Sequence, residues 1–93
     1  MSDEELLALF QNPDTRRNAF NQVVRKYQQK VYWMVRKIVI DHEDANDITQ
    51  EVFIKAWGAL ENFRGDSKLY TWLFRIAHNE SLNFLKKKRR RFF

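Results

Sequence analysis

Lys68, Thr71, Arg75, Asn79 and Lys86, with Asn83 at their border, recur at intervals of three and four residues, the spacing that places side chains on one face of a helix. Cations in such a row can replace the counterions condensed on a phosphate backbone. An Asn amide, with both a donor and an acceptor, can read an exposed base edge. Tyr70, Trp72 and Phe74 interleave with them, and aromatic rings hold unpaired bases by stacking. Behind this row Lys86 to Arg91 spell KKKRRR, suited to phosphates without discrimination. The chemistry indicated is nucleic-acid binding. The bland alternatives are solvated amides at Asn79 and Asn83, a packed Trp72 on the apolar stripe, and a frayed basic tail. Tyr70 at the edge of that stripe and Phe74 beyond it are harder to assign to a core.

A second group has the opposite sign. From Asp41 to Glu51 there are five acids, Asp41, Glu43, Asp44, Asp47 and Glu51, and no base. Wound as a helix, this segment puts Ala45, Ile48, Val52, Ala56 and Ala59 on one face with Phe53 and Leu60 at its margin. The opposite face carries Asp47, Gln50, Glu51, Ile54 and Gly58, with Trp57 at its edge. An Ile and a large aromatic among carboxylates, with no core to explain them, suggest a docking surface for another macromolecule. The net charge of +5 hides this segregation, because six of the 17 Lys and Arg lie in Lys86 to Arg91, leaving 11 against 12 acids elsewhere.

Catalysis is not expected. There is no Gly-rich phosphate loop, no Cys, no histidine pair at ligand spacing and no carboxylate pair opposite a nucleophile. No cofactor, metal or small-molecule ligand is expected, and His42 and His78 read as ordinary surface residues. The absence of Cys fits a reducing compartment such as the cytoplasm. MSDEELLALF starts acidic, without a basic leader, and no apolar run approaches the roughly 20 residues of a membrane span.

The elements that must position these groups are helices, since apolar residues recur at spacings of three and four almost throughout. The expected fold is all-α, a compact bundle of three to four helices forming one domain over residues 1–93. A first helix over Asp3 to Phe10 presents Leu6, Leu7, Leu9 and Phe10 and stops at Asn12-Pro13. A second, capped by Asp14 or Thr15, offers Phe20, Val23, Val24, Tyr27, Val31, Met34, Val35 and Ile38, either as one long helix or as two joined by a bend around Gln28-Gln29, with no Gly or Pro between Asp14 and Ile40 to mark a break. Asp41 caps a third, His42 to Leu60. Asn62 to Asp66, with Gly65, is a turn, and a fourth helix runs from Ser67, capped there or by Asp66, to roughly Lys88. In it Leu69, Trp72, Leu73, Ile76, Ala77 and Phe84 form the apolar stripe, which Glu80 interrupts.

NDITQEVFIKAW (Asn46 to Trp57) followed by ENFRGDSKLYTWLFRIAHN (Glu61 to Asn79) resembles the second conserved domain of bacterial sigma factors, in the extracytoplasmic-function subgroup, and the resemblance extends from about Phe20 to Arg90. It implies an all-helical domain that binds the clamp helices, a coiled coil on the largest subunit of core RNA polymerase, and opens the minus-ten promoter element. Asp47, Gln50 and Glu51 then fall on the polymerase-docking helix, with Ile54 and Trp57 as apolar supports. FRGDSKLYTWLFRIAHN matches the promoter-melting element, so that the loop Arg64 to Lys68, including Ser67, and the following turn with Tyr70, Thr71 and Trp72 help capture a flipped base of the non-template strand, with Arg75 a further DNA-binding residue. Asn79, Asn83, Lys86, Lys87, Arg89 and Arg90 fall where minus-ten recognition and backbone binding occur. The resemblance also implies an anti-sigma regulator, and a linker after the basic end 86–93 to a further helix-turn-helix domain not present in this sequence. The family's usual Gly-Asp turn before the docking helix is replaced by Ile40-Asp41-His42-Glu43. The alternative is a helical interaction module, binding a regulator through Ile54, Trp57 and the acids, with no DNA role. A membrane-surface binder using KKKRRRFF would leave the acidic face unexplained.

Overall fold

The computed structural model describes residues 1–92; Phe93, the last residue of the expected basic end, lies outside the described residues. Four α-helices follow one another, α1 (Asp3–Gln11), α2 (Arg16–Ile38), α3 (His42–Ala59) and α4 (Leu69–Phe92), with one 3-10 turn, Leu60–Asn62, after α3. No strand occurs among the described residues.

Each helix starts and stops for a chemical reason. Ser2 and Glu5 form a capping box on α1: the Ser2 hydroxyl accepts from the Glu5 N–H at 3.2 Å and the Glu5 carboxylate accepts from the Ser2 N–H at 3.3 Å. Thr15 occupies the N-cap position of α2 but its side chain does not cap. Its hydroxyl instead donates backwards to the Leu9 carbonyl at 2.5 Å, while Arg16 Nε donates to the Phe10 carbonyl at 2.9 Å. The first side chains of α2 are thus spent on the orphan carbonyls at the end of α1. Asp41 caps α3, its Oδ1 accepting from Glu43 N–H at 2.7 Å and Asp44 N–H at 3.1 Å. Those two bonds hold its carboxyl below the usual range. Asp41 therefore opens α3 in place of the Gly-Asp turn.

Of the two alternatives for this segment, one long helix or a bend at Gln28-Gln29, the first holds: α2 continues as one helix of 23 residues. Val23, Tyr27, Val31 and Val35 are all buried at steps of four, so a single face serves the core along the whole length, and exposed glutamines have no reason to break it. α3 ends at Ala59 rather than Leu60, and Ala59 is exposed, not buried, because the backbone tightens into the 3-10 turn that swings Leu60 inward. The following turn passes through Gly65 at φ +76°, a conformation that favours glycine. α4 begins at Leu69, two residues later than expected, with Lys68 supplying the first helical carbonyl to Trp72 N–H at 3.1 Å. It then runs past Lys88, so the basic residues through Arg91 are helical and not a frayed tail.

α2 is the hub, packing on α1, α3 and α4, while α3 also packs on α4. Their buried faces meet in one cluster that includes Leu6, Phe10, Val31, Val52, Leu60 and Leu73. On α4 the stripe is only partly sealed: Leu69, Leu73 and Ala77 are buried, whereas Trp72, Ile76 and Phe84 are half-buried. Ser81 is fully buried, its hydroxyl donating to the Ala77 carbonyl at 2.8 Å. Glu80 is accommodated at the seam by an ion pair with Lys55 of α3; the hydrogen bond that Lys55 Nζ donates to the Glu80 carboxylate raises the Lys55 pKa.

Candidate docking face and nucleic-acid interface

α3 presents its core face to α2 and α4 and leaves Asp47, Gln50, Glu51 and Ile54 exposed. Ile54 keeps 64% of its surface in solvent and Trp57 43%. Trp57, expected to lack any core role, has part of one. Its ring meets Phe20 edge-on at 5.2 Å and Phe10 at 5.8 Å, so one side of the indole closes the seam between α1, α2 and α3 and the other stays open. Beside it Phe20, Val24, Gln50, Phe53 and Ile54 help to line an apolar hollow of about 460 Å³. The acidic face therefore borders a greasy groove, the combination of polar rim and apolar centre that protein interfaces use.

The other expected site residues divide into two groups. Lys68, just before α4, and Arg75, Asn79 and Lys86 along it are exposed and Thr71 and Trp72 half-buried, with Trp72 packed against the Phe63 ring at 5.3 Å. Asn83 and Lys87 lie instead in a small groove with Asp47, Glu51 and Glu80. Asn83 thus meets the docking face at the α3–α4 seam. Lys86, Arg89 and Arg90 are exposed, and Lys88 approaches Asp44 at 3.9 Å.

The second group surrounds the Gly65 turn. A concavity of about 730 Å³ there is lined by Gly65, Ser67, Lys68 and Tyr70 on one side and by Asp3, Glu4, Lys26 and Tyr27 on the other. Neither Arg64 nor Trp72 lines it. Lys68 Nζ stands 5.9 Å from the centre of the Tyr70 ring, and Tyr70 meets Phe74 edge-on at 5.8 Å. A pocket with a lysine above an exposed tyrosine and polar atoms at its rim can hold a planar, hydrogen-bonding group.

Its far wall was missed from the sequence. Asp3 Oδ2 accepts from the Tyr27 hydroxyl at 2.6 Å and Oδ1 from Lys26 Nζ at 2.7 Å, fastening the start of α1 to α2. Burial would raise the Asp3 pKa, but the bonds from Lys26 and Tyr27 outweigh it and hold the carboxyl low. Burial and then the bond to Asp3 push the Tyr27 phenol well above its ordinary value. The only available signal, an acid near a helix start, reads more simply as a charge on the helix dipole.

Among the described residues no group of His, Cys, Asp and Glu is arranged to hold a metal ion, and no helix is long and apolar enough to cross a membrane.

Residues 23–91 match the family model for sigma-70 region 2. The chain is 47% identical over 89 residues to the RNA polymerase sigma-H factor of Pseudomonas aeruginosa, covering 96% of this chain and 45% of that protein. It is 46% identical over 85 residues to the ECF RNA polymerase sigma-E factor of Escherichia coli K12, covering 91% of this chain and 43% of that protein. It therefore spans less than half the length of these relatives. Among solved structures, the NMR structure of an engineered region 2 of sigmaE in complex with GTAAAA superposes with a TM-score of 0.86 at 40% identity, covering 98% of this chain and 93% of that one.

Proposed function

Because this chain belongs to the sigma-70 region 2 family, we propose that it is the promoter-recognition domain of an extracytoplasmic-function sigma factor, a single domain over residues 1–93 that performs no bond chemistry. The exposed face of α3, with Asp47, Gln50 and Glu51 around Ile54 and the open side of Trp57, docks on the clamp coiled coil of the largest polymerase subunit. The concavity at the Gly65 turn receives an unstacked base of the minus-ten non-template strand. The α4 row from Lys68 through Arg75 and Asn79 to Lys86, with Arg89 and Arg90, follows the adjoining backbone and base edges.

The observation that carries this reading is the concavity itself, placed between Tyr70 and the Asp3–Tyr27 wall in a fold whose sigmaE relative was solved in complex with GTAAAA. Unstacking a base costs a few kcal/mol, and a pocket with aromatic and polar walls can offset it once the duplex is held in place by polymerase. Arg64 and Trp72, outside the pocket, serve as a flanking phosphate contact and as a brace for the turn through Phe63.

The apolar hollow beside Ile54 and Trp57 favours a further partner, an anti-sigma regulator that covers the docking face and excludes polymerase. The test is direct. Anisotropy titration should show binding of a minus-ten non-template oligonucleotide in preference to its complement, and immobilised chain should retain core polymerase. Retention of polymerase without any strand preference would leave only the interaction-module reading.

A further inference from the structure

α2 carries a row of side chains that neither the core nor the docking face uses. Lys26, Lys30, Trp33 and Lys37 are separated by four, three and four residues, which sets them within about a sixth of the helix circumference and over roughly 16 Å of its length. All four are exposed. Trp33 keeps 60% of its surface in solvent, more than Trp57 or Tyr70, and its ring meets the adjacent Tyr32 at 5.2 Å. Lys30 and Lys37 form no ion pair among the described residues. A Trp this exposed between two unpaired lysines has no folding reason on a helix whose core side is Val23, Tyr27, Val31 and Val35.

The row is continuous with the concavity. Lys26 and Tyr27 wall it opposite the Gly65 turn, Lys30 stands one turn further along α2, and the charge of Lys30 is felt at Asp3. A strand whose base enters the concavity leaves it in two directions, and two helices with cationic rows border that opening, α4 at Lys68 and α2 at Lys26.

We propose that Lys30, Trp33 and Lys37 form a second track for single-stranded nucleic acid, in which Trp33 stacks on a base beyond the captured one and the two lysines hold the phosphates beside it. An acidic protein segment would use the lysines and leave the indole idle, whereas a single strand uses both. The track rests on the promoter-strand reading above and extends it to the opposite flank of the captured base.

The test uses the 93-residue chain and three labelled oligonucleotides: the minus-ten non-template segment alone, and the same segment lengthened by a handful of nucleotides at its 5′ or its 3′ end. One lengthened strand should bind more tightly than the short one. Trp33→Ala should remove about fivefold or more of affinity for that strand and none for the short one, and Trp33→Phe should keep most of it. Lys30→Ala with Lys37→Ala should flatten the salt dependence for the lengthened strand only, by about 0.7 per lysine in log–log slope. Unchanged circular dichroism verifies that the variants fold. The track is overturned if neither extension adds affinity, if Trp33→Ala weakens short and lengthened strands equally, or if an acidic helical peptide binds in a Trp33-dependent way while the extensions do not. If the short segment itself does not bind, the promoter-strand reading falls and the track with it; short-segment binding without gain on extension sinks the track alone.

Discussion

Asp3 accepts a 2.6 Å hydrogen bond from the hydroxyl of Tyr27, 24 residues further along the chain, and that bond, with the one from Lys26, holds α1 against α2 as the far wall of the concavity. Loss of either partner leaves the other underbonded at a partly buried site. Tyr27→Phe should therefore cost about 1–2 kcal/mol and Asp3→Asn about 1 kcal/mol, measured by urea unfolding. The Asp3 carboxyl sits below its ordinary value of 3.8, so its contribution is complete above the usual carboxyl range and fades as pH falls through the lowered native value. The deficit of Asp3→Asn relative to wild type should shrink toward zero in acid. The Tyr27 phenol is raised above 10.0, so its contribution is complete below pH 10 and is lost as pH rises above that. A constant deficit across the acid range would detach Asp3 from this role.

The two glycines should respond in opposite senses. Gly65 sits at φ +76° with open space where a Cβ would stand, so strain alone decides, and Gly65→Ala should destabilise by about 1 kcal/mol. Gly65→Asn should be milder, since Asn tolerates this region better. Gly58 lies within α3, and an added Cβ there also meets nothing; Gly58→Ala should stabilise by about 0.5–1 kcal/mol. Thermal melts of the three variants check the ranking.

Local periodicity made the two faces of α3 legible, because burial of Ala45, Ile48, Val52 and Ala56 leaves Asp47, Gln50, Glu51 and Ile54 only one direction to point. The Asp41 cap was legible for the same reason: its partners are two and three residues away. What stayed hidden depends on contacts between distant positions. Nothing within α3 says that Trp57 will meet Phe10 and Phe20, and nothing near Met1 says that Asp3 will reach Lys26 and Tyr27 to complete a pocket with Ser67 and Tyr70. Lys55 and Glu80 are likewise 25 residues apart, so an acid that looks misplaced on the α4 stripe finds its partner only when α3 and α4 pack. The α4 register shows the matching limit of a pattern. Asn83 and Asn79 share a helical face by count, yet the nearness of α3 draws Asn83 into the groove with Asp47 and Glu51.

The proposed docking through α3 can be separated from folding because Gln50 and Glu51 are exposed and take no part in the core. Gln50→Ala with Glu51→Ala should weaken binding to the isolated clamp coiled coil by about tenfold, and Ile54→Ala by a similar factor if it fills a central position in the interface. The melting curve should not move. Affinity unaltered in both variants would reject this surface as the polymerase contact. Trp57→Ala is less informative, since it also removes the ring that packs on Phe10 and Phe20.

The basic end of α4 and its amides should leave different signatures in one titration. Lys86, Arg89 and Arg90 are exposed on a helix that continues through them, whereas Lys87 and Lys88 turn toward the acids of α3. Phosphate contacts are lost uniformly across sequences, and each contributes about 0.7 to the slope of log affinity against log salt on a single strand. Replacing Lys86, Arg89 and Arg90 together by Ala should flatten that slope by about 2 while the preference for the minus-ten segment over a scrambled one stays the same. Asn79→Ala should do the reverse, keeping the slope and eroding the preference by about 1–3 kcal/mol if the amide reads a base edge. A triple variant with an unchanged slope would mean that Lys86, Arg89 and Arg90 do not touch the backbone, and would reject the exposed side of the basic end as the phosphate track.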